Sequence, residues 1–368
     1  MSRGQTHSAG RDGRIACLSA APWNPYLRLL YGSLSAEGFT QVEHPRLSLR
    51  WLWRSRFSAR FLHFHWPESE YRFGRGPARL RPVLSRLKLA LFAARLAAAR
   101  LLGYRLVWTV HQTYPHESND RGLDRRGART LARACDLLVA HDRWTAGEVQ
   151  SKLAGGSRPV AVVPHGSYVG VYPEGRPRDV VRRELELPEG SFAFLCFGEL
   201  RAYKEIELLL DGFASVPVPL ARLVVAGHVK DGSLGAKVAD AARADERIVT
   251  VLGFVPDERV AELFHACDAA VLPRGEPGTS GSLILALSLG LPVVAAEVAT
   301  VREIVGDGEA GWLFRPHDAS SLGVALQSAA SDPAGARARG GRGRELAEGL
   351  RWADSAHELA VLLRQLDH

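Results

Sequence analysis

The sequence predicts an α/β protein made of two Rossmann-like units. Three observations carry that prediction. A chain of 368 residues, 46% hydrophobic and 24% charged, is too long for one compact core and too apolar to be disordered. Its charge is divided: residues 1–175 carry 26 Lys and Arg against 12 Asp and Glu (+14), and the remainder 21 against 28 (−7). Short apolar runs alternate with helical patterns twice over, and most of the runs end in a Gly, Pro or His turn, as parallel βαβ units require.

Composition narrows the class. Cys17, Cys135, Cys196 and Cys267 are far apart in sequence, without CxxC or Cys/His ligand spacing, so reduced thiols and a cytoplasmic location are expected. Residues 1–13 are polar and Gly-rich and read as a loose tail, not a secretory leader. No stretch of transmembrane length is free of charge. The basic half would attract a phosphorylated substrate, an anionic lipid surface or nucleic acid. No DNA- or RNA-binding module pattern appears, so nucleic acid is not an expected partner.

The first unit is expected over 14–172. Arg14–Ala20 reads as a buried strand, followed by a turn with Asn24 and Tyr26 and a helix over 27–37. Asn24 and Tyr26 either cap and pack that helix or touch the acceptor. Arg60–His65 is a second strand whose His63 and His65 share one face and line a cleft, with a packed core histidine the competing reading for His63. Helical spacing of Leu84, Leu87, Leu91, Ala94, Ala98 and Leu101 in 80–106 is studded with Arg and Lys. It fits a helix lying on an anionic membrane or one packed on the sheet. Arg105–Val110 is a strand ending in His111, the best catalytic or sugar-contacting candidate of this half, with His116 on the next loop. Two further strands, 136–140 and 159–163, close the unit.

Residues 173–190 are Pro-, Gly- and Arg-rich and read as a linker. The second unit is expected over 191–345. Phe192–Phe197 is a strand opening into Gly198, Arg201 and Lys204. Ala221–Ala226 and Ile248–Leu252 follow, the latter ending in Gly253-Phe254-Val255-Pro256. The strand Ala269–Leu272 leads through Glu276 to Thr279-Ser280-Gly281-Ser282 and a helix from Leu283. Ala334–Arg344 is expected to be a solvated basic surface, and 346–368 a final amphipathic helix able to pack back on the first unit. Arg201 and Lys204 on one strand–helix junction, and the amides of Thr279 to Leu283 on the other, could grip a diphosphate from two sides.

The second half resembles the C-terminal domain of GT-B glycosyltransferases of family four, and the first half is similar to bacterial relatives that build polysaccharides and glycolipids. Lys204 keeps the family's spacing from Gly198, and Gly253–Pro256 matches the segment beside the nucleotide base. Gly290–Ala295, Glu303-Ile304-Val305 and Gly311–Phe314 match as well. His65-Trp66-Pro67-Glu68, Trp108–His111 and Pro164-His165-Gly166 carry the looser resemblance. The family's glutamate pair is absent: its positions fall on Pro277 and Leu285, and Glu276 stands one residue early.

The resemblance implies two domains facing a central cleft and a metal-independent, retaining hexosyltransferase. The donor would be GDP-mannose or a UDP-sugar and the acceptor a glycan or glycolipid. Asn24, Tyr26, His65 and His116 would serve the acceptor. His111 would be a hydrogen-bonder or general base, and Glu276 would touch donor hydroxyls. Gly198, Arg201, Lys204, Phe254, Val255 and Thr279–Leu283 would hold the nucleotide diphosphate. No Asp-x-Asp pair is present to hold a divalent ion. An epimerase or phosphorylase on the same fold, or a non-catalytic sugar-nucleotide binder, are the alternatives.

Overall fold

The structure is a computed structural model describing residues 11–42, 46–74, 79–115, 118, 120–154, 160–219 and 221–366. It divides into one unit made of residues 1–166 and 352–368 and a second unit, Ser167–Arg351.

The first unit is built on a parallel sheet of β1 (Arg14–Ser19), β2 (Thr40–Val42), β3 (Phe61–His65), β4 (Arg105–Thr109), β5 (Leu137–Ala140) and β6 (Val160–Val162), in the order β2-β1-β3-β4-β5-β6. Chain order reverses between β1 and β3, so a ligand crevice is expected beyond the C-terminal ends of those strands. Side chains alternate between the faces. Ala16, Leu18, Leu62, Phe64, Leu106 and Trp108 pack on one side, with Phe92 and Leu96 of the helix Arg81–Leu101. Ile15, Cys17, Phe61 and Val107 pack on the other, against the helices Pro25–Ala36 and Trp352–Gln365. The last helix therefore belongs to the first unit, its Ala356, Leu359, Ala360 and Leu363 completing that core. Within the helix-rich stretch 80–106 the helix spans Arg81–Leu101; Gly103 then takes a positive φ and Arg105 starts β4, as expected.

The second unit repeats the plan with β7 (Phe192–Phe197), β8 (Ala221–Gly227), β9 (Ile248–Leu252), β10 (Ala269–Leu272), β11 (Val293–Ala296) and β12 (Gly311–Phe314). They run parallel in the order β12-β11-β10-β7-β8-β9. Here the switch lies between β7 and β10, the strands whose C-terminal turns carry the two predicted phosphate-facing junctions.

Two stretches differ from expectation. Residues 173–190 lie inside the second unit: the helix Arg178–Glu184 packs on Asp257–Ala266, and Arg176 holds the Glu262 carboxylate by two bonds of 2.8–2.9 Å. Pro and Gly suggested a linker, but ion pairs made by the arginines between them fix it. Ala334–Arg344 is part of the helix Pro333–Glu348 and is more than a solvated surface. Its glycines allow close approach: a Cβ on Gly340 would stand 2.3 Å from the Gly290 carbonyl oxygen.

Candidate active site

In the second unit, β7 ends at Phe197 and the chain turns through Gly198 and Arg201 into a single 3-10 turn, Ala202–Lys204. That turn brings the Lys204 ammonium back under the strand end, where a Cβ on Gly198 would lie 3.1 Å from Nζ and 3.8 Å from the Ser282 hydroxyl. Gly198 and Gly227 touch backbone to backbone, since a Cβ on Gly227 would lie 1.9 Å from the Gly198 carbonyl oxygen. Both take positive φ, which only glycine adopts without strain. Lys204 is pushed below the usual lysine range, first by desolvation, with Arg274 and Arg201 adding repulsion against the pull of Cys196 and Glu199. A buried ammonium beside two guanidiniums is a site made for an anion.

The turn after β10 faces the same cavity, which Lys204, Arg274, Glu276, Gly278, Ser280 and Ser282 line. Arg274, absent from the sequence-based set, shapes it by donating to the carbonyls of Glu276 (2.8 Å) and Gly278 (3.0 Å). Thr300 Oγ1 accepts from the Gly278 amide and donates to its carbonyl. Glu205, in the left-handed region at φ 55°, accepts from the Gly275 amide and pairs with His317, while its Oε2 is buried without a partner. Its place just after the predicted Lys204 was the only signal for it.

Several expected roles change here. Leu283 offers no free amide, because Ser280 caps the helix Gly281–Ser288 and accepts from it at 3.2 Å. Ser282 and Gly281 remain at the helix start. Arg201 is engaged with Glu199 Oε2 at 2.8–3.0 Å, so it approaches the cavity as part of an ion pair. Glu276 is exposed on the rim. Phe254 stands 83% exposed at the β9 end, an open aromatic face, with Val255 half-buried beside it.

In the first unit, Tyr26 is buried and surrounded by rings rather than open to an acceptor. His65, Trp66, His111, His141, His165 and Trp352 all lie within 4.9–6.2 Å of its centroid. Asn24 is a helix cap, its Oδ1 accepting from the Tyr26 amide at 3.0 Å. His65 is fully buried and bonded to His111, so it supports that residue instead of lining open space. His116 lies outside the described residues. His111 follows β4, stacked at 4.0 Å on Trp66, which holds φ 47° at the end of β3. Such a strained non-glycine residue is most at home at a functional site.

His141 and His165 join the cluster unforeseen; each donates Nδ1–H to a backbone carbonyl, of Val163 and Gly166 respectively. The His141 Nε2 is consequently a buried acceptor without a partner. Desolvation drives His63, His65, His111, His141 and His165 below the usual histidine range, His63 and His165 down to about 3. Burial thus favours the neutral ring in all five. Among the described residues no group of three or more His, Cys, Asp and Glu is set to hold a metal ion.

Two parallel six-stranded sheets with an anion pocket at one switch point and a histidine cluster at the other define a GT-B-type sugar-nucleotide enzyme. Residues 191–332 match the family model described as glycosyl transferases group 1, and residues 83–167 the model for glycosyltransferase family 4. The chain is 30% identical over 318 residues to a GDP-mannose:glycolipid 4-beta-D-mannosyltransferase of Xanthomonas campestris, covering 85% of this chain and 82% of that protein. It is 26% identical to a D-inositol 3-phosphate glycosyltransferase of Nocardiopsis dassonvillei, over 74% of this chain and 67% of the relative. Among solved structures, Anabaena HepE in complex with UDP-glucose superposes with a TM-score of 0.72 at 16% identity, over 96% of this chain and 99% of the other. Sucrose-phosphate synthase from Thermosynechococcus elongatus gives 0.70 at 19%, over 96% and 98%. The chain belongs to the family-four, group-1 glycosyltransferases, enzymes of the GT-B fold.

Proposed function

We propose that the protein transfers a mannosyl group from GDP-mannose to a hydroxyl of a glycolipid. The observation that carries this reading is the cavity between the β7 and β10 turns of the second unit, where Lys204 meets Gly198, Ser280 and Ser282. Mannose and the glycolipid come from the name of the Xanthomonas relative. As the anomeric C–O bond breaks, charge grows on the leaving diphosphate. Lys204 and Arg274, with the amides opening the helix Gly281–Ser288, stabilise it, and this cationic set does so without a divalent ion. Phe254 offers the base a face to stack on, and Glu205 Oε2 offers an acceptor to a hydroxyl of the nucleotide sugar. In the first unit, His111 just past the β4 end is the candidate for a sugar contact. Retention would yield an α-mannoside from an α-configured donor, while the relative's name carries a β-mannoside; the anomer of the product, read by NMR, decides between them.

The acceptor's chemistry suits a second surface. Leu80, Val83, Leu87 and Leu91 lie exposed along the helix Arg81–Leu101, and Leu49, Trp53 and Phe57 lie exposed on and after the neighbouring helix Leu49–Ser55. Arg50, Arg54, Arg56, Arg86 and Lys88 intersperse them. Among the described residues no helix is long and apolar enough to cross a membrane. Apolar side chains ringed by arginine instead suit contact with an anionic bilayer, where each basic residue contributes about 1 kcal/mol.

Calorimetric titration of GDP, UDP, TDP and ADP tests the donor site. The reading expects GDP to bind tightest and Lys204→Ala to weaken it at least tenfold, roughly the scale of a charge-assisted bond. Equal affinity in the folded variant would remove Lys204 from the site, and a preference for UDP would replace GDP-mannose as donor.

A further inference from the structure

The buried histidines of the first unit are joined in a continuous line. Thr109 Oγ1 is 2.8 Å from His63 Nε2, and His63 Nδ1 is 2.9 Å from the Tyr31 hydroxyl. That hydroxyl is 3.3 Å from His65 Nε2, and His65 Nδ1 is 3.0 Å from His111 Nε2. β3 and β4 set the spacing: His63 and His65 alternate onto the face carrying Thr109, and Tyr31 reaches down from the helix Pro25–Ala36. Thr109, Tyr31, His63 and His65 are all buried.

Each neutral imidazole has one N–H and one lone pair, so each link fixes the next. If His63 donates from Nδ1, the tyrosine hydroxyl donates to His65 Nε2, a stronger acceptor than the Cys17 sulfur that is also within its reach. His65 then donates from Nδ1 to His111 Nε2, leaving hydrogen on His111 Nδ1. If the first link is reversed, every later link reverses. In either direction the three histidines share one tautomer. The Cys17 thiol, also bonded to Tyr31, is the weaker acceptor and so donates to the hydroxyl's second lone pair in both cases.

The end of the line sets its direction. Thr109 is 1% exposed, and the partner of its hydroxyl among the described residues is His63. A buried hydroxyl proton left without an acceptor is costly, so it is donated to His63 Nε2. We infer that Thr109, His63, Tyr31 and His65 are positioning residues that hold His111 as its Nδ1–H tautomer, so that it serves sugar transfer as a hydrogen-bond donor and not as a general base. The functional half of this inference rests on the reading that His111 meets the sugar. To act as a base through Nδ1, His111 would need the entire line reversed and the threonine proton turned away from its acceptor.

Long-range 1H–15N correlation spectra of protein labelled at histidine, assigned by single replacements, read the tautomers directly. Free histidine prefers Nε2–H. The inference expects His63, His65 and His111 all as Nδ1–H at pH 7, and an Nε2–H signal from any of them overturns it. Thr109→Val should release all three toward Nε2–H, and Thr109→Ser should restore Nδ1–H. A folded Thr109→Val protein with unchanged tautomers refutes the anchoring. Transfer should fall about tenfold in Thr109→Val, roughly the scale of one hydrogen bond, and recover in Thr109→Ser. Tautomers that follow the prediction while Thr109→Val transfers at the native rate would keep the lock and refute the role of His111 as donor to the sugar.

Discussion

The histidine cluster makes acid stability a sharp readout of the first unit. A histidine whose folded pKa lies below its unfolded value binds its proton mainly after unfolding. Its stabilising contribution is therefore complete above the unfolded pKa and is lost as pH falls below it. For His63 and His165, with folded values of about 3 against an ordinary 6.5, the loss begins near pH 6.5 and continues toward pH 3. Between pH 7 and 5 each contributes a loss of about 2 kcal/mol by linkage, so the pair accounts for about 4 kcal/mol. His65, His111 and His141 move in the same direction. Most carboxylates titrate below this window. Urea unfolding at pH 7, 6 and 5, followed by tryptophan fluorescence, gives the free energies. His63→Gln should remove about half of the pair's pH dependence. A stability that changes by less than about 1 kcal/mol from pH 7 to 5 would refute the claim that these rings are buried and neutral.

Other outcomes follow from the same geometry. Gly227→Ala would press a Cβ into the Gly198 carbonyl and should cost about 2 kcal/mol or more while weakening nucleotide binding; a native melting temperature with native GDP affinity would contradict the close approach. Asp124→Ala strips the part-exposed Arg72 of the bidentate partner it holds at 2.5–2.7 Å, and unfolding should show a loss of about 2 kcal/mol. Replacing Trp53 and Leu87 by Ser should weaken sedimentation with phosphatidylglycerol vesicles about tenfold without changing GDP binding; unchanged sedimentation would remove this face from membrane contact.

Much of the architecture was legible because strand and helix periodicities are local. Each apolar run from Arg14 to Leu272 named as a strand is one, and the two turns expected to face a diphosphate fall where the second sheet's order reverses. What escaped was set by partners distant in sequence. The 173–190 stretch is Pro- and Gly-rich, but its fate is decided by Glu262 and Asp268, some eighty residues away. For Asn24 and Tyr26 the sequence leaves capping and packing open beside acceptor contact; the structure shows the former, and the rings that enclose Tyr26 arrive from four other strand ends and the last helix. His141 and His165 each follow a strand of the same sheet, a register that shows as a cluster only once the strand order is known. Arg274 was passed over because its role is to bond the carbonyls of its own turn, which leaves no spacing signal.

The most direct test of the account is transfer from radiolabelled GDP-mannose to a glycolipid acceptor by the native protein and by Lys204→Ala. The account predicts labelled glycolipid from the native protein, with or without a chelator. It predicts turnover lower by about two orders of magnitude or more in the folded variant, because the charge that meets the leaving diphosphate is gone. Equal turnover by both proteins would contradict the placement of the diphosphate at the β7–β10 switch of the second unit.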